Sequence, residues 1–435
     1  MLKPNLKINE KGELEIGGVN TVQIAKKYGT PLYITDENRI RDNYRRFKNA
    51  FDEEWHDVEL WYAYKANSNT AVCKVLEEEG CGAEVGSLCE LKIALKVGVP
   101  GNQIIYNGNN KSERELELSI ENNVLLNVDN LQELELINEL AGEIGEEARA
   151  GFRVNPDVKA PTHPHISTGL RESKFGLDVP SGKALKAYKR ASEMENVKIE
   201  SIHSHIGSQI LDPDPFVEQA KKTMDLREKV YEETGVEIDI VDLGGGLGIP
   251  YEPGEEELPP EEFAENVTDA LEEASEKSEL DKPKLVLEPG RFVIADSSIL
   301  LGRVGYVKER KDIPHWVAID AGMNALIRPA MYGAYHHIEV ANKMDEEKTE
   351  SANIAGPLCE SGDYLGKGRD FPPVERGDLV AVYDVGAYGL SMSSNHTGNR
   401  RPGMVMVNSG ETALVRKKEV CEDLTRLDRM PGWLE

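Results

Sequence analysis

From residue 58 onward, short apolar runs alternate with amphipathic stretches. Strand candidates, most of them rich in Val, Ile, Leu or aromatic residues, occupy 58–64, 82–85, 103–106, 124–128, 148–154, 199–205, 238–243 and 285–288. Between them apolar residues recur at spacings of three and four. That period predicts helices over 71–79, 88–97, 112–121, 131–141, 182–195, 215–234 and 261–277. Strand–helix alternation predicts a parallel sheet with right-handed crossovers. Eight such strands in roughly 230 residues fit a closed (β/α)8 barrel. An open, doubly wound sheet is the alternative.

The flanks have a different texture. Residues 1–34 open with a hairpin-like pattern, turning at Gly12 and at Gly17-Gly18, followed by a helix near 21–28 and the stretch Pro31-Leu-Tyr-Ile-Thr35. A charged amphipathic helix then runs to Phe51, with Asp36 as its N-cap. Beyond residue 297, strands are predicted at 299–308, 316–320, 379–383 and 404–407. Gly and Pro punctuate this region, and long amphipathic helices are missing until about residue 420. The chain therefore reads as a barrel over 35–296, with 1–34 and 297–435 forming a β-rich domain.

Composition narrows the function. The 435 residues suffice for two cores, and the formal charge of −27 argues against nucleic acid or an anionic membrane as partner. The acidic excess, dense over 255–276, is either a solvated surface or an adaptation to high salt. Five scattered cysteines without a CxxC pair disfavour a disulfide framework or a zinc site. No apolar run has the length of a membrane span or the form of a signal peptide, so a cytoplasmic protein is expected.

In a (β/α)8 barrel, functional groups gather where strands end. The first predicted strand ends at Lys65, in Trp-Tyr-Ala-Tyr-Lys65-Ala-Asn. Burial at a strand end would disfavour the charged form of this lysine and leave a free amine able to attack carbonyls. The sixth ends in His203-Ser-His205-Ile-Gly-Ser208-Gln209. The seventh runs into Asp242-Leu-Gly244-Gly245-Gly246-Leu-Gly248, and the eighth into Glu288-Pro-Gly290-Arg291. Three consecutive glycines expose backbone N–H groups to an anion, and the loops after strands seven and eight are the usual phosphate site of barrels. The histidines are a buried pair, metal ligands, or a flat imidazole beside a planar cofactor. A metal would need further ligands, for which His163 and His165 are candidates by composition alone; no metal is expected. Glu288 is a helix-start residue or salt-bridge partner of Arg291, or it faces Lys65 across the barrel mouth. In the last case it suits the ring nitrogen of pyridoxal 5′-phosphate, where a carboxylate keeps the ring protonated and a strong electron sink.

Three stretches of the β-rich region also stand out: Asp320 to Tyr332, Gly356 to Asp363, and Asp384 to Gly389. Cys359 is either a small buried thiol or a functional group in a polar loop. Arg328 lies between Ile and Pro, an apolar context that suits a bidentate carboxylate contact over a plain surface charge.

Taken together, YAYKAN, HSHIGSQ, DLGGGLGIPY, EPGR, CESGD and GAYG, in that order from Pro31 to Leu414, resemble the diaminopimelate decarboxylase family of fold-type III PLP enzymes. HISTGLRESKFG and LIRPAMY separate the pattern from ornithine and arginine decarboxylases. The resemblance implies an alanine racemase-like barrel plus a C-terminal all-β domain that completes the active site and a homodimer interface. The implied reaction is decarboxylation of meso-2,6-diaminopimelate to L-lysine, the last step of lysine biosynthesis. It further implies that Lys65 binds the cofactor covalently, His205 stacks on its ring and Glu288 meets its nitrogen. Ser208, Gly245, Gly246, Gly290 and Arg291 would hold the phosphate, with Tyr388. Arg291, Arg328, Tyr332, Glu360 and Tyr388 would read the substrate, and Cys359 would donate the proton, the Cys-Glu loop coming from the partner subunit.

One departure is visible. The family carries an aspartate followed by a Ser-Gly-Gly-Glu turn after the second strand, whereas this chain has Ala83-Glu84-Val-Gly86-Ser87-Leu-Cys89-Glu90. Three alternatives keep parts of the pattern. A decarboxylase for ornithine, arginine or carboxynorspermidine would need a site without the Arg328–Tyr332 reader. An alanine racemase-like enzyme would pair the ring nitrogen with arginine. A non-catalytic PLP carrier would be a barrel without the β domain.

Overall fold

Eight parallel strands close on themselves in a computed structural model that describes residues 2–159 and 173–434. They are β1 (Val58–Ala63), β2 (Gly82–Val85), β3 (Ile104–Tyr106), β4 (Leu125–Val128), β5 (Ala148–Asn155), β6 (Val197–Ser204), β7 (Ile240–Asp242) and β8 (Lys284–Leu287). Each pairs with the next, and β8 returns to β1 with Leu285 opposite Val58 and Leu287 opposite Leu60. The closed (β/α)8 barrel is therefore the architecture, and the open sheet is not.

The apolar runs read as strands because they are buried on both sides, the inner one by neighbouring strands. Trp61, Ile105, Leu125, Ile240 and Val286, from five strands, pack as one cluster. Helix boundaries follow local chemistry. The helix Leu88–Val97 starts where Ser87 accepts from the Glu90 N–H, and it ends at Gly98 with φ 105°, a conformation open to glycine. Asp36 accepts from the Asn38 N–H at 3.0 Å and so starts the helix Glu37–Glu54.

The chain divides into two compact units, Arg41–Pro250 with Glu256–Val293, and Met1–Ile40 with Tyr251–Glu255 and Ile294–Glu435. The first holds the barrel. In the second, a mixed sheet runs in the order Tyr364–Phe371, Glu350–Ala355, His315–Ile319, Ser298–Lys308, Leu32–Asp36, Gly403–Asn408, Glu411–Arg416. Leu379–Val382 joins it by pairing with Ser298–Lys308 and with Ile338–Val340. Leu32–Asp36 lies between strands from the other end of the chain, antiparallel to one and parallel to the next. Its Ile34 packs with Ile16, Leu301, Leu379 and Val405. Among the described residues after Ser298, the α-helices are the five-residue Arg328–Tyr332 and Cys421–Thr425. No helix among the described residues is long and apolar enough to cross a membrane.

Candidate active site

Lys65 sits in a tight 3-10 turn, Tyr64–Ala66, directly after β1. The sequence dictates the turn. The Tyr62 hydroxyl donates to the Asn67 carbonyl at 3.1 Å, Asn67 accepts from the Asn69 N–H at 3.1 Å, and Asn69 caps the following helix through the Ala71 N–H at 3.0 Å. Tyr64 and Ala66 are buried on either side. Lys65 is not the desolvated amine expected from its strand. Its side chain keeps 46 % of its exposure, and its ammonium meets the buried Glu84 carboxylate at the end of β2. The turn swings the side chain out of the apolar strand into the polar barrel mouth.

The altered turn after β2 has its own logic. Ser87 caps the next helix, while the Glu90 carboxylate accepts from the Gly86 N–H at 2.9 Å. This leaves Glu84 directed at Lys65.

Glu288 follows β8. Its N–H donates to the Gly244 carbonyl at 2.8 Å, and the Ala63 N–H donates to the Pro289 carbonyl at 3.1 Å. These two bonds bring the ends of β1, β7 and β8 together. Glu288 therefore stands on the strand beside that of Lys65, not across the mouth as its sequence position suggested, because closing the barrel makes strand eight the neighbour of strand one.

The Glu288 carboxylate is 3 % exposed. It accepts from the Asn107 side-chain amide at 2.5 Å and lies 3.5 Å from His203 Nε2. Burial alone would raise its pKa, but His203 and Lys65 outweigh burial and hold it well below the usual carboxylate range. Asp242 next to it goes the other way. Burial and the Glu288 charge push it well up, against a 2.8 Å bond from the Gly244 N–H. Of this pair Glu288 carries the charge and Asp242 the proton.

Arg291 does not pair with Glu288. Its Nη2 and Nε donate to Ser208 Oγ at 3.0 and 3.3 Å. The Ser208 loop is stitched to the glycine loop by Ile210 N–H to Gly246 O at 3.1 Å and Gly248 N–H to Ile210 O at 2.9 Å. None of the three glycines has room for a side chain. A Cβ on Gly245 would lie 2.2 Å from the Glu288 carbonyl oxygen. Gly246 has φ 136°, and a Cβ there would press on Gly207 O and the Phe216 ring at 3.0 Å. Gly290 is buried between Pro289 and Arg291. His205 lies against Gly244, and burial, with Arg153 and Lys65 nearby, pushes its pKa down to about 3, so it is a neutral imidazole.

The barrel unit thus gathers Lys65, His205, Ser208, Gly245, Gly246, Glu288, Gly290 and Arg291. An amine, a buried anionic carboxylate, a neutral flat ring and a glycine-walled loop with an arginine fit one kind of group. That group has an aldehyde, a protonatable ring nitrogen and a phosphate. The ligand-like cluster that His203 does form is with Asp242 and Glu288, whose ligand atoms lie within 4.8 Å of one another. His163 and His165 lie outside the described residues.

The other five candidates belong to the second unit. Arg328 opens the helix Arg328–Tyr332 and is buried, which removes the surface-charge reading; Tyr332 is half-buried. Cys359 and Glu360 are exposed on the loop after Glu350–Ala355, so Cys359 is not a core thiol. Asp363 anchors that loop, accepting from the Leu358 and Met323 N–H groups, both at 2.6 Å. Tyr388 holds φ 56°, a left-handed conformation that a bulky residue adopts only under constraint.

Sequence reasoning missed Asn107 and Asn127 and left Asp242 and Arg153 without a role. Asn107 ends β3 and is held by Asn127 of β4 at 2.5 Å, whose carbonyl accepts from Lys111 at 2.7 Å. Arg153, on β5, is buried with its guanidinium over the Phe175 ring at 4.3 Å. Single polar residues at strand ends were the available signal.

Known proteins resemble the chain throughout. Residues 37–295 match the family model for the pyridoxal binding domain of pyridoxal-dependent decarboxylases. The diaminopimelate decarboxylase of Methanocaldococcus jannaschii is 46 % identical over 428 residues, 97 % of this chain and 96 % of that one. That of Bacillus subtilis is 39 % identical over 421 residues, 97 % and 96 % of the two chains. The crystal structure of the M. jannaschii enzyme in complex with L-lysine superposes with a TM-score of 0.94 at 44 % identity, covering 100 % of both chains.

Proposed function

The chain belongs to the diaminopimelate decarboxylases, within the pyridoxal-dependent decarboxylase family, and from that premise we propose that it converts meso-2,6-diaminopimelate to L-lysine and carbon dioxide with pyridoxal 5′-phosphate. The observation that carries this reading is Glu288, a buried carboxylate kept ionised beside the strand that ends in Lys65. A carboxylate there keeps a proton on a pyridine nitrogen, whereas a racemase-like site would place arginine.

The bound cofactor supplies the sink for the electron pair left when carbon dioxide departs. The chain supplies the rest. Lys65 would hold the cofactor's aldehyde carbon, and Glu84 keeps the lysine aimed while the site is assembled. Ser208, Gly245, Gly246, Gly290 and Arg291, with Tyr388, would take the phosphate. Neutral His205 would lie on the ring without adding charge. Arg291, Arg328 and Tyr332 would read the substrate, with Arg328 on the distal carboxylate and Glu360 on the distal ammonium. Cys359 would hand its thiol proton to the carbon that lost the carboxylate.

Cys359 and Glu360 stand exposed on an anchored loop of a single chain. This supports a homodimer in which each copy lends that loop to the other. The five free cysteines are consistent with a cytoplasmic enzyme. Incubation of the PLP-loaded protein with meso-diaminopimelate, ornithine and arginine tests the reading by carbon dioxide release. Release from meso-diaminopimelate alone is expected; release from ornithine alone would replace the substrate assignment.

A further inference from the structure

His336 is fully buried in the second unit, and the reaction as described gives it no task. It follows the helix Arg328–Tyr332 by four residues and enters the strand Ile338–Val340. Its ring nitrogens have distinct partners. Nδ1 lies 2.8 Å from the Tyr383 carbonyl oxygen, an atom that can only accept, so Nδ1 carries the proton. Nε2 is then left with a lone pair, and it accepts the Nε–H of Arg328 at 3.2 Å. The imidazole acts as a relay between a backbone carbonyl and a guanidinium.

The surroundings make this relay rigid. Tyr383 directly follows Leu379–Val382, which pairs with Ile338–Val340, and its N–H donates to the His337 carbonyl at 2.9 Å. Tyr251 closes the other side. The Arg328 guanidinium carbon lies 5.1 Å from the Tyr251 ring centre, and that ring meets His336 edge-on, centres 5.3 Å apart at 73°. A guanidinium reads a carboxylate as a planar fork, so its rotation about the chain decides which edge it offers. His336 fixes that rotation through Nε, and Tyr251 fixes the plane.

We propose that His336 is a positioning residue: it holds Arg328 in the orientation that recognises a carboxylate on the distal end of the substrate, and so sets selectivity for ligands carrying that carboxylate. This rests on the assignment of Arg328 to the distal carboxylate. A neutral ring is required, since a proton on Nε2 would remove the acceptor and set two cations together.

L-lysine keeps the distal carboxylate and cadaverine lacks it, so the two ligands isolate the effect. Their inhibition constants are measured on PLP-loaded holoenzyme, alongside KM and kcat for meso-diaminopimelate. His336→Asn keeps a donor near the Tyr383 carbonyl but withdraws the acceptor from Arg328. His336→Gln reaches the Nε2 position and restores it. For His336→Asn, KM and the L-lysine constant rise about 10- to 100-fold, the loss of one hydrogen bond to a charged group. The cadaverine constant and kcat stay in place, and His336→Gln recovers most of the difference. Adding His336→Asn to Arg328→Lys produces no further loss. Equal shifts for both ligands, or none for either, would overturn the role of His336 while Arg328→Lys still weakens L-lysine. A parent enzyme that binds the two ligands alike, or an Arg328→Lys variant that binds L-lysine normally, would instead overturn the assignment of Arg328.

Discussion

Asn107 donates to Glu288 at 2.5 Å, although 181 residues separate them in the chain. The contact exists because barrel closure brings the end of β3 to the end of β8. Asn127 holds the Asn107 carbonyl oxygen at 2.5 Å, so the donor cannot rotate away. A buried carboxylate at the nitrogen of a cofactor ring must be both ionised and aimed, and this amide pair serves both ends.

Asn107→Ala should therefore act on the cofactor rather than on the fold alone. Removing one bond to a buried charge costs about 1.5–3 kcal/mol, or roughly 10- to 100-fold in an equilibrium or rate. We expect PLP affinity and turnover to fall by that order, read from absorbance titration and carbon dioxide release. Asn107→Asp should be worse, since a second carboxylate raises the cost of ionising Glu288.

Asp242 offers a contrast. With the proton on Asp242, Asp242→Asn replaces one neutral side chain by another and keeps an acceptor for the Gly244 N–H. Turnover and its pH profile should stay close to the parent. A steep loss in steady-state assays of Asp242→Asn would show that Asp242 works as an anion.

Asp384 should write itself into the pH dependence of stability. Burial raises its pKa to about 6 from 3.8, against the pull of Lys3. The folded state therefore keeps this proton at pH values where the unfolded chain has lost it. Stability from this group is lost as pH rises from about 4 to about 6, by about 3 kcal/mol in all. Asp384→Asn removes the titration. The urea-unfolding difference, variant minus parent, should grow by that amount between about pH 4 and pH 7; a constant difference would remove Asp384 as the source.

The loop carrying Cys359 gives a paired expectation. Cys359→Ala should slow turnover by roughly 100-fold or more, the range for losing a positioned proton donor, while PLP binding stays intact. Asp363→Ala removes both anchors of the loop, at Leu358 and Met323. It should reproduce much of the same defect without touching the thiol. Stopped-flow decarboxylation and PLP titration on both variants separate chemistry from cofactor binding.

The barrel was legible because most of its strands are largely buried apolar runs that alternate with stretches of helical period. Glu350–Ala355 and Tyr364–Phe371 were not. Neither carries a continuous apolar signal; pairing with His315–Ile319 makes Glu350–Ala355 a strand, and pairing with Glu350–Ala355 makes Tyr364–Phe371 one. Lys65, Glu288 and the glycine loop were found because chemistry at strand ends is expected in a barrel. Asn107 looks like an ordinary loop residue and Asn127 like a stray polar residue in a strand until closure joins them to Glu288. His336 was equally silent, since its role depends on a backbone carbonyl 47 residues away. The burial of Lys65 was misjudged because the turn after β1, not the strand, decides where its ammonium lies.

The central claim is that Lys65 holds the cofactor. Borohydride reduction of the PLP-loaded protein fixes any carbon–nitrogen double bond, and peptide mass mapping then locates the pyridoxyl group. The label is expected on the peptide bearing Lys65, and its loss, together with turnover, in Lys65→Ala. A label on another lysine, or full activity in Lys65→Ala, would contradict it.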